Sequence, residues 1–188
     1  MPTPRACLLI AATLTASWLG MQQVHELGHV VAGLATGGRI ERVVLHPLEI
    51  SRTDLSANPR PGLVTWAGPA LGCLLPLALW GAVRRMGCGC EFLLRFFAGF
   101  CLIANGAYVG VGSLGGIGDA GDLLRSGSPR WSLWLFGAVC VPSGLALWNG
   151  LGPRFGIGRD APPIAGGWLA VAIGAALGTA AISLAVGR

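Results

Sequence analysis

Hydrophobic positions in this chain fall in long blocks separated by short polar stretches, with little of the alternation that marks a half-buried sheet. From residue 6 to residue 36 apolar side chains are nearly continuous, interrupted only by a polar patch from Gln22 to His29. Because the apolar character resumes at Val30, Val31 and Leu34, residues 6–36 predict one long membrane helix with polar groups on part of its surface. Arg5, the apolar stretch from Cys7 to Leu14 and the small residues around Ala16 resemble a secretory leader, but that resumption makes an uncleaved helix the expectation. Gly37 and Gly38 end the helix. Residues 40–45 and 48–53 are short, rich in β-branched side chains and joined around His46-Pro47, which predicts a β-hairpin.

Asn58-Pro59-Arg60-Pro61 breaks the chain before a second span over residues 62–83, closed by Arg84-Arg85. A third span covers 92–111, a fourth with tryptophans at its edges covers 131–148, and a fifth covers 164–186. Between the third and fourth, Gly112, Gly115, Gly116 and Gly118 surround Asp119 and Asp122, predicting irregular backbone followed by a short helix. The blocks together predict an all-α polytopic membrane protein of about five transmembrane helices, with a short β-hairpin after the first. We treat residues 1–188 as one domain, with a core at 6–127 and additional spans at 131–150 and 164–186. The glycine pairs Gly33/Gly37, Gly68/Gly72 and Gly174/Gly178, each four apart, are expected to let helices pack closely within the chain.

Composition agrees with a lipid bilayer as the solvent. Hydrophobic residues make up 53% and charged residues 11%, against roughly 25% charged in an average soluble domain. The formal charge of +5 is spread singly, so nucleic acid is not an expected partner. All basic residues are Arg, and with the excess of Ala and Gly this resembles the output of a GC-rich genome, so a bacterial cytoplasmic membrane is the expected location. Four of the six cysteines lie in apolar runs, while Cys88 and Cys90 stand at C-x-C spacing, which invites a metal or redox reading, with no His nearby.

The chemistry is concentrated in His25-Glu26-Leu27-Gly28-His29. Residues i and i+4 share one helix face, so two imidazoles at this spacing can hold one zinc ion, while a Glu at i+1 stands close enough to take a proton from a water. Three ionisable side chains in a membrane helix are expensive to bury, and their default reading is functional. Catalytic zinc takes three protein ligands, so one more is needed. His46, Asp119 and Asp122 are the candidates, ahead of Glu41, Glu49 and Asp54 in the polar connection. Asp119 is favoured because it sits in a Gly-rich break at the end of a span, and Asp122, three residues on, is the near competitor. Spans one and three run in the same direction, which brings the His25–His29 segment and Asp119 toward one membrane face.

These motifs resemble the intramembrane site-2 proteases and their bacterial M50-type relatives. The resemblance rests on His25-Glu26-Leu27-Gly28-His29, on Trp66-Ala67-Gly68-Pro69-Ala70-Leu71-Gly72 and on Gly118-Asp119-Ala120-Gly121-Asp122-Leu123-Leu124, and covers residues 6–127. In that family Ala-Gly-Pro is followed shortly by Asn, where this chain has Gly72, and a Leu-Asp-Gly element supplies the third zinc ligand, where this chain has Gly118-Asp119-Ala120. The resemblance implies His25, His29 and Asp119 as ligands of Zn2+ and Glu26 as catalytic base. It implies hydrolysis of peptide bonds in or beside a transmembrane helix of a membrane-protein substrate. Asn105 would polarise the scissile carbonyl or, in the simpler reading, make a helix-to-helix hydrogen bond. A non-catalytic zinc-binding sensor or scaffold in the membrane is the alternative function, and an ion path lined by His25, Glu26 and His29 a third.

Overall fold

The computed structural model describes residues 3–46 and 51–186. Helix α1 (Pro4–Ala35) begins where the Thr3 side chain accepts the Ala6 amide and Pro4 occupies the first turn. It ends at Gly37, whose φ of +79° turns the chain back so that the Gly38 amide reaches the Gly33 carbonyl at 2.8 Å. Strands β1 (Arg39–Val44) and β2 (Arg52–Ala57) follow as an antiparallel pair, with Val44 opposite Arg52 and Val43 opposite Thr53. The hairpin expected after the first span is therefore present, but its second strand lies further along than residues 48–53. Leu55 is the apolar residue that meets Ile40 across the pair, and both pack on Gly33 of α1, which fixes the register toward the helix. Residues 48–50 of the expected strand lie outside the described residues.

Helices α2 (Pro61–Arg85), α3 (Glu91–Gly115), α4 (Gly118–Arg125), α5 (Arg130–Trp148) and α6 (Gly166–Val186) complete the chain, with a 3-10 turn at Gly152–Phe155. Five of them, α1, α2, α3, α5 and α6, are long and apolar enough to cross a membrane. The expected irregular backbone from residue 112 shrinks to Gly116 and Ile117, because α3 continues to Gly115 and stops only where Gly116 adopts φ +62°.

Helix α1 packs against α2 and α6, and α3 lies against α5 and α2. Phe92, Leu151, Phe155 and Ala172 close over Leu9 and Ala12 at one end of α1. Val109, Ala120, Leu123 and Leu133 form a second cluster that seats α4 on α3 and α5. The glycine pairs divide. Gly33 and the pair Gly68 and Gly72 are packed tightly inside the chain, whereas a Cβ at Gly37, Gly174 or Gly178 would meet nothing within 4 Å. The close packing expected of the last pair is thus not made, because α6 turns those residues away from α1.

Candidate metal centre

Helix spacing places His25, Glu26 and His29 on the buried side of α1, where they are 6%, 2% and 7% exposed. The Nε2 atoms of His25 and His29 lie 3.0 Å apart. Asp119 Oδ2, from the first turn of α4, lies 2.8 Å from His25 Nε2 and 3.3 Å from His29 Nε2. Three donor atoms from two helices thus form a triangle close to the edge length of about 3.3 Å for ligands around tetrahedral zinc, given metal-to-ligand distances near 2.0–2.1 Å. Glu26 belongs to the same group, with its carboxylate and the two imidazoles mutually within 4.8 Å.

The outward nitrogen of each imidazole fixes which tautomer its neutral form adopts. His29 Nδ1 is 2.9 Å from the Val64 carbonyl, which can only accept, so this nitrogen carries the proton. His25 Nδ1 is 2.7 Å from Asn105 Oδ1, while Asn105 Nδ2 donates to the Cys101 carbonyl at 2.9 Å and thereby fixes the amide's orientation. In their neutral form, with both Nδ1 atoms protonated, the imidazoles present bare Nε2 lone pairs to each other and to a carboxylate oxygen. Three acceptors at these separations call for a cation between them, and a backbone carbonyl and a side-chain amide behind the imidazoles are the outer partners that metal-binding histidines use. The residues present therefore fit a metal ion.

Packing makes the convergence possible. A Cβ on Gly28 would strike the backbone of Ala67 and Gly68, and a Cβ on Gly68 would strike the His29 ring, so α1 and α2 touch only because both residues are glycine. Helix α4 is set by burial of Ala120 and Leu123 at 0% exposure, which turns Asp119 toward the imidazoles. Trp66 Nε1 donates to Ser128 Oγ at 3.1 Å, tying the start of α2 to the segment that follows α4.

The structure separates the candidate ligands. Asp119 joins the histidines, whereas Asp122 is exposed and pairs with Arg125 at 2.5 Å, facing away. Asp54 pairs with Arg52 at 3.3 Å on the exposed hairpin, and Glu41 is exposed on β1. His46 is outside the His25, Glu26 and His29 group, and Glu49 lies outside the described residues. Asn105 makes the helix-to-helix bond of the simpler expectation, and its partner is a histidine of the motif.

Three contributors have no counterpart among the sequence expectations. Thr53 of β2 donates its hydroxyl to Glu26 Oε2 at 2.7 Å, so the hairpin holds the carboxylate. Tyr108, one turn beyond Asn105, accepts the Asp119 amide at 3.2 Å and sets its ring edge-on to His25 with centroids 6.0 Å apart. Val64 supplies only its carbonyl, which no side-chain pattern can report. The single tyrosine of the chain, in a glycine-rich stretch leading to Asp119, is the one signal that was readable. Gln22, one turn before Glu26, buries an Oε1 with no hydrogen-bond partner among the described residues.

Comparisons with family models, with curated proteins and with solved structures return no match.

Proposed function

We propose that the protein is an intramembrane zinc metalloprotease of the site-2 protease kind, hydrolysing peptide bonds in or near transmembrane segments of membrane proteins in a bacterial cytoplasmic membrane. The observation that carries the reading is the meeting of His25 Nε2, His29 Nε2 and Asp119 Oδ2 within 3.3 Å of one another, both imidazoles turned lone-pair inward. Its support for hydrolysis is Glu26, a buried carboxylate beside that triangle with one oxygen engaged by Thr53.

Zinc held by His25, His29 and Asp119 would supply Lewis acidity, polarising a carbonyl and bringing the pKa of a water toward about 7. Glu26 accepts the proton of the attacking water and returns it to the departing amine, the role of a general acid–base placed beside the reacting atoms. Thr53 keeps one carboxylate oxygen occupied, so the other is the one that moves the proton. Asn105 and the Val64 carbonyl hold the imidazoles in one tautomer throughout. A helical substrate hides its amides in internal hydrogen bonds and must unwind before attack. The hairpin β1–β2 reaches Glu26 through Thr53, and its strand edge offers pairing to an extended segment.

Incubation of the purified, zinc-loaded protein in detergent with peptides spanning transmembrane helices, followed by mass spectrometry of the products, tests the reading. Cleavage that Glu26→Gln abolishes while zinc is retained supports it. Zinc bound at full occupancy without cleavage of any membrane peptide supports the non-catalytic sensor or scaffold instead.

A further inference from the structure

The turn between α2 and α3 carries Cys88 and Cys90, which the metal centre does not use. About 25 Å of helix separates this turn from Gly68, at 1.5 Å per residue. The two sulfurs are 2.6 Å apart. Two thiolates on tetrahedral zinc, with bonds of about 2.3 Å, stand about 3.7 Å apart. The two thiols are in contact, within reach of a sulfur–sulfur bond, and closer than the two thiolates of a zinc chelate stand.

The turn is clamped from two sides. Arg154 donates to the carbonyl of Gly89, the residue between the cysteines, at 3.2 Å. On another side the indole of Trp168 lies so close that a Cβ on Gly89 would come within 2.7 Å of its ring. Phe92 sets its ring edge-on to Trp168, and the Arg154 guanidinium stands 4.9 Å above Phe92. Only glycine fits between the cysteines, and the resulting turn keeps both thiols on one side.

A cavity of about 610 Å³ opens beside the turn, lined by Arg84, Arg95, Arg154 and Glu91, with Cys88 at its wall and Cys90 outside it. Three arginines line this space against one carboxylate, Glu91, which accepts from the Trp80 indole N–H at 2.5 Å; Arg95 donates to the Asn149 carbonyl at 2.8 Å and Arg154 to that of Gly89. Such a concave, positively charged surface attracts small anions.

We propose that Cys88 and Cys90 are a redox-active dithiol that exchanges with an acidic low-molecular-weight disulfide held by Arg84, Arg95 and Arg154. Cys88 stands at the cavity wall and Cys90 outside it, which assigns Cys88 as attacker and Cys90 as resolver, and a hydrogen bond from the Cys90 thiol draws the Cys88 thiol below its ordinary range in the same sense. The Cys88 thiolate attacks one sulfur of the incoming disulfide, whose S–S bond breaks and releases one small thiolate. Cys90 gives up its proton and attacks the Cys88 sulfur of the mixed disulfide, releasing the second. The products are a Cys88–Cys90 disulfide and two small thiols. Two electrons pass to the incoming disulfide, and the protons of both cysteines end on the released thiols.

The full chain in detergent, treated with glutathione disulfide, then alkylated and digested, provides the test. Wild type is expected to lose both thiols of the Cys88–Cys90 peptide together, with release of two glutathiones. Cys90→Ser is expected to accumulate a glutathione adduct on Cys88 several-fold faster than Cys88→Ser does on Cys90, because Cys88 borders the cavity and Cys90 does not. Arg84→Gln is expected to slow exchange with glutathione disulfide several-fold, and exchange with the cationic disulfide cystamine is expected to be no slower than in wild type. Failure of the internal disulfide to form at any ratio of oxidised to reduced glutathione would overturn the dithiol. Equal rates with the two disulfides in wild type and Arg84→Gln would overturn the acidic substrate.

Discussion

Asn105 Oδ1 lies 2.7 Å from His25 Nδ1, and this one contact between α3 and α1 decides which nitrogen of His25 bears a proton. Without it the imidazole is free to place its proton on Nε2, pointing at His29 and Asp119, where the proposed zinc site requires a bare lone pair. Asn105→Leu is expected to reduce zinc affinity about 10–100-fold, the usual effect of removing an outer partner of a ligating histidine. Asn105→Asp keeps an acceptor and is expected to keep the metal. Competition with a chromogenic chelator measures both, and equal affinities in wild type and Asn105→Leu would remove Asn105 from this role.

Gly68 gives a second prediction, because its α-carbon faces the two imidazoles across the contact of α1 with α2. A methyl group at Gly68 collides with the His29 ring, so Gly68→Ala is expected to lose zinc while the helical content by circular dichroism stays near that of wild type. Overpacking of this kind costs about 1–3 kcal/mol, which a folded bundle survives. Normal zinc content in Gly68→Ala would show that the two helices part more easily than their packing implies.

On the proposed function, substitution of Thr53 separates metal binding from catalysis. Thr53→Val keeps the shape of the side chain and removes the donor to Glu26 Oε2, leaving a buried carboxylate oxygen unpaired at a cost of about 1–3 kcal/mol. Zinc content is expected to match wild type, thermal stability in detergent to fall, and cleavage of a membrane peptide to drop by at least about tenfold, as for a misplaced general base. Thr53→Ser is expected to restore all three, and a Thr53→Val protein that cleaves at the wild-type rate would contradict the placement of Glu26 by the hairpin.

Much of this arrangement was legible in the sequence because two strong signals carry it. Long apolar blocks report helices of membrane length, and all five were found, with ends shifted by a few residues where capping depended on Gly116 and Pro4. The i, i+4 histidines report a shared helix face irrespective of tertiary packing. Asp119 was readable from its place at the end of a span, and what separates it from Asp122 is the burial of Ala120 and Leu123, which rotates α4. Thr53 and the Val64 carbonyl were not readable. The hairpin register depends on Leu55 and Ile40 packing against Gly33, a contact across chain segments, and a backbone carbonyl leaves no mark in residue type.

Elemental analysis of the purified, detergent-solubilised protein is the measurement that bears most directly on the metal centre, made on wild type, His29→Ala, Asp119→Ala and Asp122→Ala. The convergence of His25, His29 and Asp119, with Asp122 turned to Arg125, predicts about one zinc per chain in wild type and in Asp122→Ala, and loss of that zinc in the other two. A wild type that takes up no zinc on reconstitution, or an Asp119→Ala protein that keeps it in full, would contradict the account.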